Sequence, residues 1–168
     1  MRQIVIQQSP SVAISENEGT PKNEVKMLTI GQKIFEETVR PIGITVRSVG
    51  PEGVETETTI SAEIVGFGPA QGVNGKLLGT QRNKIGSNGI VRGTGQGKMV
   101  FEQGELVVCK LKYAGRMTAS DGQKHIGTLT FMTVSEKLAW LNQTVGVVEG
   151  EFKGGPTGSG KNIIYEWS

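Results

Sequence analysis

The chain has 168 residues, of which 25 are glycine and only 5% are aromatic, and its formal net charge is +2. That length fits one domain, and folding can remove roughly 70% of the unfolded chain's surface from water, which is enough for a core without stabilising metals. The small charge, carried by scattered lysines, argues against nucleic acid as a partner, and Cys109, the only cysteine, excludes an intrachain disulfide and a cysteine zinc cluster.

The chain has no apolar run long enough for a secretory signal or a membrane helix. Near the N-terminus the apolar run is only Ile4-Val5-Ile6, whereas a signal needs about 7–15 apolar residues and a membrane helix about 20. We therefore expect a cytoplasmic protein with no membrane partner.

Residues 1–22 differ in composition from the rest of the chain. The segment Ser15 to Lys22 is polar and rich in turn-forming residues, so it buries little surface by itself. Ile4 to Ile6, Val12 and Ile14 nevertheless give it some apolar surface. The sequence predicts a flexible N-terminal arm, with a lid over a cavity mouth as the alternative, and a barrel domain over residues 23–168.

From residue 24 onward the pattern is strand, turn, strand. Ile60, Ala62 and Ile64 alternate with Ser61 and Glu63, as in a half-buried antiparallel strand. Short turns with glycine separate eight or so apolar segments that we predict as strands. Glu24–Ile30 is a short candidate, and the others are Ile34–Val49, Val54–Phe67, Val73–Ile85, Ile90–Phe101, Leu106–Ala114, His125–Val134, Val145–Phe152 and Ile163–Trp167. Within Ile34–Val49, Ile42, Ile44 and Val46 are predicted to share a face.

The spacing of three glycines favours a closed barrel over a sandwich. Gly93, Gly95 and Gly97 lie on one face of one predicted strand, where the absence of side chains suits tight coiling. Closure also removes exposed sheet edges. We therefore predict an all-β, single-domain, antiparallel eight-stranded β-barrel with one short helix, Glu136–Leu141, capped by Ser135.

The segment Gly154 to Asn162 resembles a phosphate-binding loop in spacing only. Gly155, Gly160 and Lys161 match the pattern, but Asn162 stands where a magnesium-binding hydroxyl belongs. The residues after Asn162 are too few for the helix that the loop requires, so we interpret the segment as a glycine-rich hairpin turn.

The second half of the chain resembles small barrels of the allene oxide cyclase and dirigent superfamily. The resemblance depends on the layout from Gly86 to Trp167, with Gly89, the glycine-rich strand Gly93-Thr94-Gly95-Gln96-Gly97, and the turn Gly104-Glu105. It implies a one-domain barrel with an apolar lumen. Activities known in the superfamily include cyclisations and isomerisations, bacterial [4+2] cyclases among them, and stereochemical control of radical coupling. No catalytic residue is transferred from that family.

The usual catalytic groups give little support for a specific chemistry. His125 is the only histidine and stands beside a turn, so we interpret it as a solvated surface group, with acid–base work as the less favoured alternative. Cys109 lies on an apolar face and is expected in the core. The carboxylate pairs Glu36-Glu37, Glu55/Glu57 and Glu149/Glu151 are each interpreted as solvated strand faces rather than as acid–base pairs.

What remains is a lumen hypothesis. Tyr113 and Gln81 fall on apolar strand faces and are our candidate catalytic residues, as donors that orient and polarise a carbonyl. The candidate ligand-binding wall consists of Met99, Phe101, Phe131, Trp140 and Tyr165. Such a pocket could fold a flexible apolar, polyketide-like molecule for cyclisation, as a Diels-Alderase does, with no cofactor and no metal.

Two other functions stay open at this point. The barrel could be a non-enzymatic binder or carrier of a small apolar molecule, or a structural barrel with a filled core. The sequence also leaves a homodimer open. As an enzyme, the protein would be a cyclase or isomerase in antibiotic biosynthesis.

Overall fold

Eight antiparallel strands form one closed barrel in the computed structural model, which describes residues 30–119 and 122–167. Each strand pairs with the next, and the last pairs with the first. The strands are β1 Ile30–Gly50, β2 Gly53–Gly66, β3 Gly75–Gly86, β4 Ile90–Phe101, β5 Leu106–Thr118, β6 Gly122–Thr133, β7 Val145–Lys153 and β8 Ser159–Trp167. The predicted fold class is therefore confirmed. The predicted arm over residues 1–22 lies outside the described residues, as does the first predicted strand up to its last residue, Ile30.

The pairing of β1 with β8 closes the barrel, and we call it the seam. It joins Val39 to Gly160 and Phe35 to Ile164, so residues more than a hundred positions apart become neighbours. The remaining pairs are consecutive hairpins, as the short glycine-containing turns predict. The glycine-rich segment after β7 is one of these turns, and Lys161 and Asn162 lie within strand β8.

Strand β1 contains an irregularity that changes which of its residues face inward. The pairing with β2 shifts register between Pro41 and Gly43, as at a β-bulge, which bends a strand and changes its side-chain alternation. Ile44 and Val46 therefore border the cavity at the mouth of the barrel, whereas Ile42 does not border it. The prediction that Ile42 shares their face was wrong, because the sequence does not reveal the extra residue.

One half of the barrel interior is packed solid, and we call this the plugged end. Here the Phe35 ring lies 5.9 Å from the Phe101 ring and 6.2 Å from the Phe131 ring, measured between centroids. A helix between β6 and β7, Glu136–Gln143, covers this end and buries Leu138 and Leu141.

The covering helix differs from the prediction in type and in its N-terminal cap. It is a 3-10 helix, and the Ser135 side chain makes no capping hydrogen bond. Instead, the Ser135 backbone N–H donates to Thr133 Oγ1 at 3.1 Å. Asn142 provides the main tie, because its side chain accepts from the Thr133 N–H at 2.8 Å and donates to the Thr133 carbonyl at 2.9 Å.

The other end, where the turns join β1 to β2, β3 to β4, β5 to β6 and β7 to β8, is the open end.

Within residues 30–119 and 122–167, no helix has the length and apolar character needed to cross a membrane.

Candidate functional site

The open end contains a cavity of about 410 Å³. This volume falls within the range of small-molecule sites, roughly 300–1,000 Å³. Its apolar wall is formed by Val39, Pro41, Ile44, Val46, Ile60, Ile85, Met117 and Phe152. Its polar lining is concentrated on β3, β5, β6 and β8 and consists chiefly of Gln81, Asn83, Tyr113, Gln123, His125 and Asn162. The site is therefore a mainly apolar chamber with a localised polar wall.

Tyr113 stands at the centre of the polar wall. Its side chain is 8% exposed, and its hydroxyl donates to Asn83 Oδ1 and lies 3.4 Å from Gln81 Oε1. Burial raises the pKa of Tyr113 to about 12, against the lowering effect of a hydrogen bond from Gln123. The phenol therefore stays protonated at neutral pH and serves as a donor rather than as a base.

His125 packs beside Tyr113, with the two ring centroids 5.1 Å apart and the rings tilted by 48°. Gln123 Nε2 lies 3.4 Å from His125 Nδ1. Burial lowers the pKa of His125, and hydrogen bonding with Asn162 opposes that shift. The imidazole is therefore neutral at physiological pH, which leaves it one donor and one acceptor nitrogen.

A buried carboxyl group lies behind the histidine. Asn162 Nδ2 donates to Glu37 Oε2 at 2.9 Å, and both side chains are only 6% exposed. Burial raises the pKa of Glu37 more than the hydrogen bond from Asn162 lowers it. An uncompensated buried carboxylate is costly, so burial shifts the equilibrium of Glu37 toward the neutral acid.

Directly paired positions connect these groups around the barrel. One row runs from Asn83 through Gly93 to Tyr113, and a second runs from His125 through Gly150 and Asn162 to Glu37. We call these five side chains the polar belt: Asn83, Tyr113, His125, Asn162 and Glu37.

Glycines make room for the polar belt. A Cβ at Gly93 would overlap the Tyr113 ring, and one at Gly127, on the opposite side of Tyr113, would lie 2.7 Å from its Cβ. A Cβ at Gly150 would overlap both the His125 ring and the Asn162 amide oxygen. The inner face of the barrel thus alternates large and absent side chains, which is how small barrels fill their taper.

The structure brings two of the sequence-predicted site residues together. Gln81 and Tyr113 both line the cavity and lie within hydrogen-bonding distance of each other. The predicted wall residues are elsewhere. Met99, Phe101 and Phe131 are buried in the plugged end, and Trp140 packs against the same core from the 3-10 helix.

Tyr165 lies on the outer side of the barrel. Asn162 and Ile164 are the buried residues of β8, and strand alternation places Tyr165 on the opposite face. Ile163 and Trp167, which were predicted to share a face with Tyr165, lie on the same outer face. The prediction that Tyr165 lines the lumen was therefore wrong.

Four of the five belt residues were not among the candidates from the sequence. His125 was interpreted as a surface group, and Glu37 as part of a solvated pair, yet His125 is cavity-lining and Glu37 is buried. A parity signal existed: Glu37 alternates with Phe35 and Val39, and His125 has the parity of Leu129. Asn83 and Asn162 offered the same signal on β3 and β8.

Metal ligation and thiol chemistry find no support at this site. Within residues 30–119 and 122–167, no group of three or more His, Cys, Asp or Glu side chains is placed to hold a metal ion. Cys109 is buried, as its apolar face predicted. Burial raises the pKa of its thiol to about 12, so it is a protonated core residue.

Comparisons with known proteins identify the fold. No family model and no curated protein matches the chain. A β-barrel-like protein from Acinetobacter baumannii AYE has a TM-score of 0.70 at 16% identity, over 91% of this chain and 100% of that one. A protein of unknown function from Clostridium acetobutylicum ATCC 824 has a TM-score of 0.69 at 16% identity, over 82% and 98%. An enzyme from Penicillium herquei has a TM-score of 0.58 at 14% identity, over 90% and 100%. The chain is thus similar in fold to a β-barrel-like protein, to a protein of unknown function and to an enzyme.

Proposed function

We propose that this protein is a cofactor-independent cyclase or isomerase that binds an apolar, carbonyl-containing small molecule in the open-end cavity. Polyketide-like intermediates of antibiotic biosynthesis have the required character, since they combine hydrocarbon surface with a few carbonyl oxygens. The observation that carries the proposal is the 410 Å³ apolar chamber with Tyr113 as a protonated donor on one wall.

The chamber can accelerate a unimolecular reaction by restricting conformation. A flexible chain enclosed by Ile44, Val46, Ile60 and Ile85 loses most of its extended conformers, so its reacting ends meet more often. A carbonyl oxygen directed at the polar wall meets the Tyr113 hydroxyl, whose one proton turns from Asn83 Oδ1 to the substrate. The N–H groups of neighbouring carboxamides lie on the same wall. Donors preorganised in this way stabilise negative charge that develops on the oxygen.

Two similarities support an enzyme of this kind. The second half of the chain resembles the allene oxide cyclase and dirigent superfamily, which contains cyclases, and the Penicillium herquei neighbour is described as an enzyme. The rival function is a binder or carrier that holds the same class of molecule unchanged. A cavity of 410 Å³ in the open half is unlike a fully filled structural barrel.

The test uses the full-length protein and an acyclic apolar polyenone that carries a diene and an enone in one chain. Formation of a cyclic isomer of unchanged mass is followed by chromatography. We expect Tyr113→Phe to lower kcat by roughly 100-fold, since it removes one polarising donor. Gln81→Ala should lower it in the same direction.

Thr58→Phe is the matched test of location, because Thr58 lines the cavity and a phenyl ring there would occupy it. Lys124→Gln on the outer face of β6 is the control and should leave the rate unchanged. Binding without conversion would identify a carrier. Binding that persists in Thr58→Phe would contradict the proposed site.

A further inference from the structure

We infer that His125 is the proton-accepting group of the cavity, so that its substrates include apolar ketones with a C–H bond beside the carbonyl. This inference depends on the proposed function and deepens it, because it adds proton transfer at carbon to a site so far described only as a folding chamber with donors.

The first support is the position of the imidazole. His125 lines the cavity beside Tyr113, with 5.1 Å between the ring centroids. A ketone whose oxygen meets the Tyr113 hydroxyl therefore places its neighbouring carbon within the region that His125 borders. An acid and a base arranged on one wall are what enolisation requires.

The second support is the hydrogen-bond direction around the ring. Asn162 Nδ2 donates to Glu37 Oε2, which leaves the Asn162 amide oxygen for the hydrogen bond with His125. That oxygen and His125 Nε2 both lie beside Gly150. That oxygen can only accept, so the nitrogen facing it carries the proton. The Gln123 amide lies 3.4 Å from the other nitrogen, Nδ1, and can donate to it. His125 is thus held as the Nε2–H tautomer, with Nδ1 as the acceptor nitrogen.

The charged groups near His125 leave it neutral in the resting state. Tyr113 on β5 is a protonated phenol, and Glu37 on β1, behind Asn162, favours the neutral acid. Glu151 on β7 borders the cavity and lies 3.5 Å from Lys153 Nζ. Lys124, the neighbour of His125 on β6, is on the exposed face. An uncharged imidazole has the lone pair that a base needs.

The proton-transfer step balances without a co-reactant. The Gln123 amide gives up its long 3.4 Å contact with Nδ1 when the substrate binds. The freed Nδ1 lone pair of His125 takes a proton from the carbon beside the carbonyl, and the C–H electron pair becomes the C=C bond of an enolate. The carbonyl π pair moves onto oxygen, which accepts a hydrogen bond from Tyr113. The imidazolium then returns the proton, either to the same carbon or to a conjugated one, and the second route moves a double bond.

The experiment follows deuterium incorporation at C2 of 1-tetralone, an apolar bicyclic ketone, in D₂O with the full-length chain. Binding is measured separately by ligand-observed NMR. We expect wild-type protein to catalyse the exchange and His125→Gln to bind 1-tetralone but to exchange it at least roughly 100-fold more slowly. Lys124→Gln is the matched control on the same strand. Wild-type exchange should fall with a midpoint below the ordinary imidazole value of 6.5, because burial lowers the pKa of His125 and a protonated imidazole accepts no proton.

The outcomes separate the inference from the proposed function. Binding with equal exchange rates for wild type and His125→Gln would overturn the inference and leave a cavity that binds ketones. Absence of 1-tetralone binding by the wild type would overturn both. NMR of the intact chain checks that His125→Gln is folded. In the wild type, the single histidine gives one unambiguous imidazole signal.

That single signal also tests Asn162 as a positioning residue. Imidazole ¹⁵N shifts of wild type should report the Nε2–H tautomer, and Asn162→Leu should give a mixture of tautomers. Because hydrogen bonding with Asn162 raises the pKa of His125, the midpoint of the exchange profile should move to lower pH in Asn162→Leu. Asn162→Ser, which keeps an acceptor oxygen, should restore part of the shift. A tautomer unaffected by Asn162→Leu would contradict this role.

Discussion

Glu36 and Glu37 are adjacent in sequence but lie on opposite faces of β1. The Glu36 carboxylate is on the outer face, 2.7 Å from Lys161 Nζ and 2.9 Å from Lys33 Nζ. Glu37 is buried inside the barrel against Asn162. Hydrogen bonds from the two lysines lower the pKa of Glu36, whereas burial raises the pKa of Glu37.

These opposite shifts predict opposite pH dependences of stability. The folded state holds the Glu37 proton above the ordinary pKa of 4.5, so wild-type stability should fall as pH rises from about 4.5 through the raised pKa. Glu37→Gln removes that titration. We expect the free energy of unfolding of Glu37→Gln, relative to wild type, to increase with pH above 4.5, as measured by urea denaturation from pH 4 to pH 8.

Glu36→Gln is the control. Because the pKa of Glu36 is lowered, its ionised carboxylate stabilises the folded protein by a constant amount at pH values above 4.5. This stabilisation is lost only as the pH falls below 4.5. The difference between Glu36→Gln and wild type should therefore stay flat from about pH 5 to pH 8. A flat profile for Glu37→Gln as well would show that Glu37 ionises normally in the folded protein.

Side-chain parity along the strands determined which residues the sequence could predict. Tyr113 follows Cys109 and Leu111 at intervals of two, so its inward direction was predictable. Glu37 had the same parity signal from Phe35 and Val39. Because a glutamate is rarely buried, it was nevertheless interpreted as solvated. The partner that makes burial acceptable, Asn162, is 125 residues away in sequence, and no local pattern reveals it.

At the scale of elements, the 3-10 helix Glu136–Gln143 closes the plugged end through a small number of contacts. Leu138 and Leu141 supply its buried surface, and Asn142 ties it to the end of β6. The 3-10 helix is short and has no side-chain cap at its N-terminus. The hydrogen bonds from Asn142 to Thr133 therefore fix its orientation against the barrel.

We expect Asn142→Ala to lower the free energy of unfolding by roughly 1–2 kcal/mol, since two hydrogen bonds to Thr133 are lost. Gln143→Ala, at a neighbouring and also exposed position, should change the free energy of unfolding much less. Urea denaturation measures both. Ligand binding at the open end should be unaffected in either variant, and a large loss of binding in Asn142→Ala would mean that the two ends of the barrel are coupled.

Most elements were predictable from alternation and from turn glycines. The features missed were those that depend on one extra residue or on one hydrogen bond. The bulge after Pro41 inserts a residue that pattern counting cannot locate. The helix was predicted with Ser135 as its cap, but the Ser135 backbone bonds to Thr133 instead, which is a contact with a strand and not a property of the helix sequence.

At the scale of the whole molecule, the barrel is solid at one end and hollow at the other. Phe131 and its aromatic neighbours fill the plugged end, while Ile44 borders the cavity and is 43% exposed. Stability and function are therefore expected to depend on different halves.

Truncation at the two ends should separate these roles. We expect Phe131→Ala to lower the free energy of unfolding by roughly 3–5 kcal/mol, because it leaves a void in packed surroundings. Ile44→Ala should cost about 1 kcal/mol or less but weaken binding of the apolar polyenone. Similar unfolding costs for the two variants would show that the open half is packed in solution.

The closed ring was predictable as a fold class because eight short strands with inward glycines fit few other architectures. The division into solid and hollow halves was not predictable. It depends on the distribution of volume along the barrel axis, and sequence alternation reports only inside against outside. Hence Phe101, Phe131 and Trp140, which were expected to surround a ligand, lie in the plugged end instead.

The seam between β1 and β8 has a consequence for synthesis of the chain. Until Ser159–Trp167 leaves the ribosome, β1 and β7 each present an unpaired edge, and such edges invite pairing with other chains. A nascent polypeptide of this architecture cannot close its ring until β8 is available to pair with both β1 and β7. Its vulnerability to aggregation is therefore concentrated in the interval before the last strand emerges, and it ends when the ring shuts.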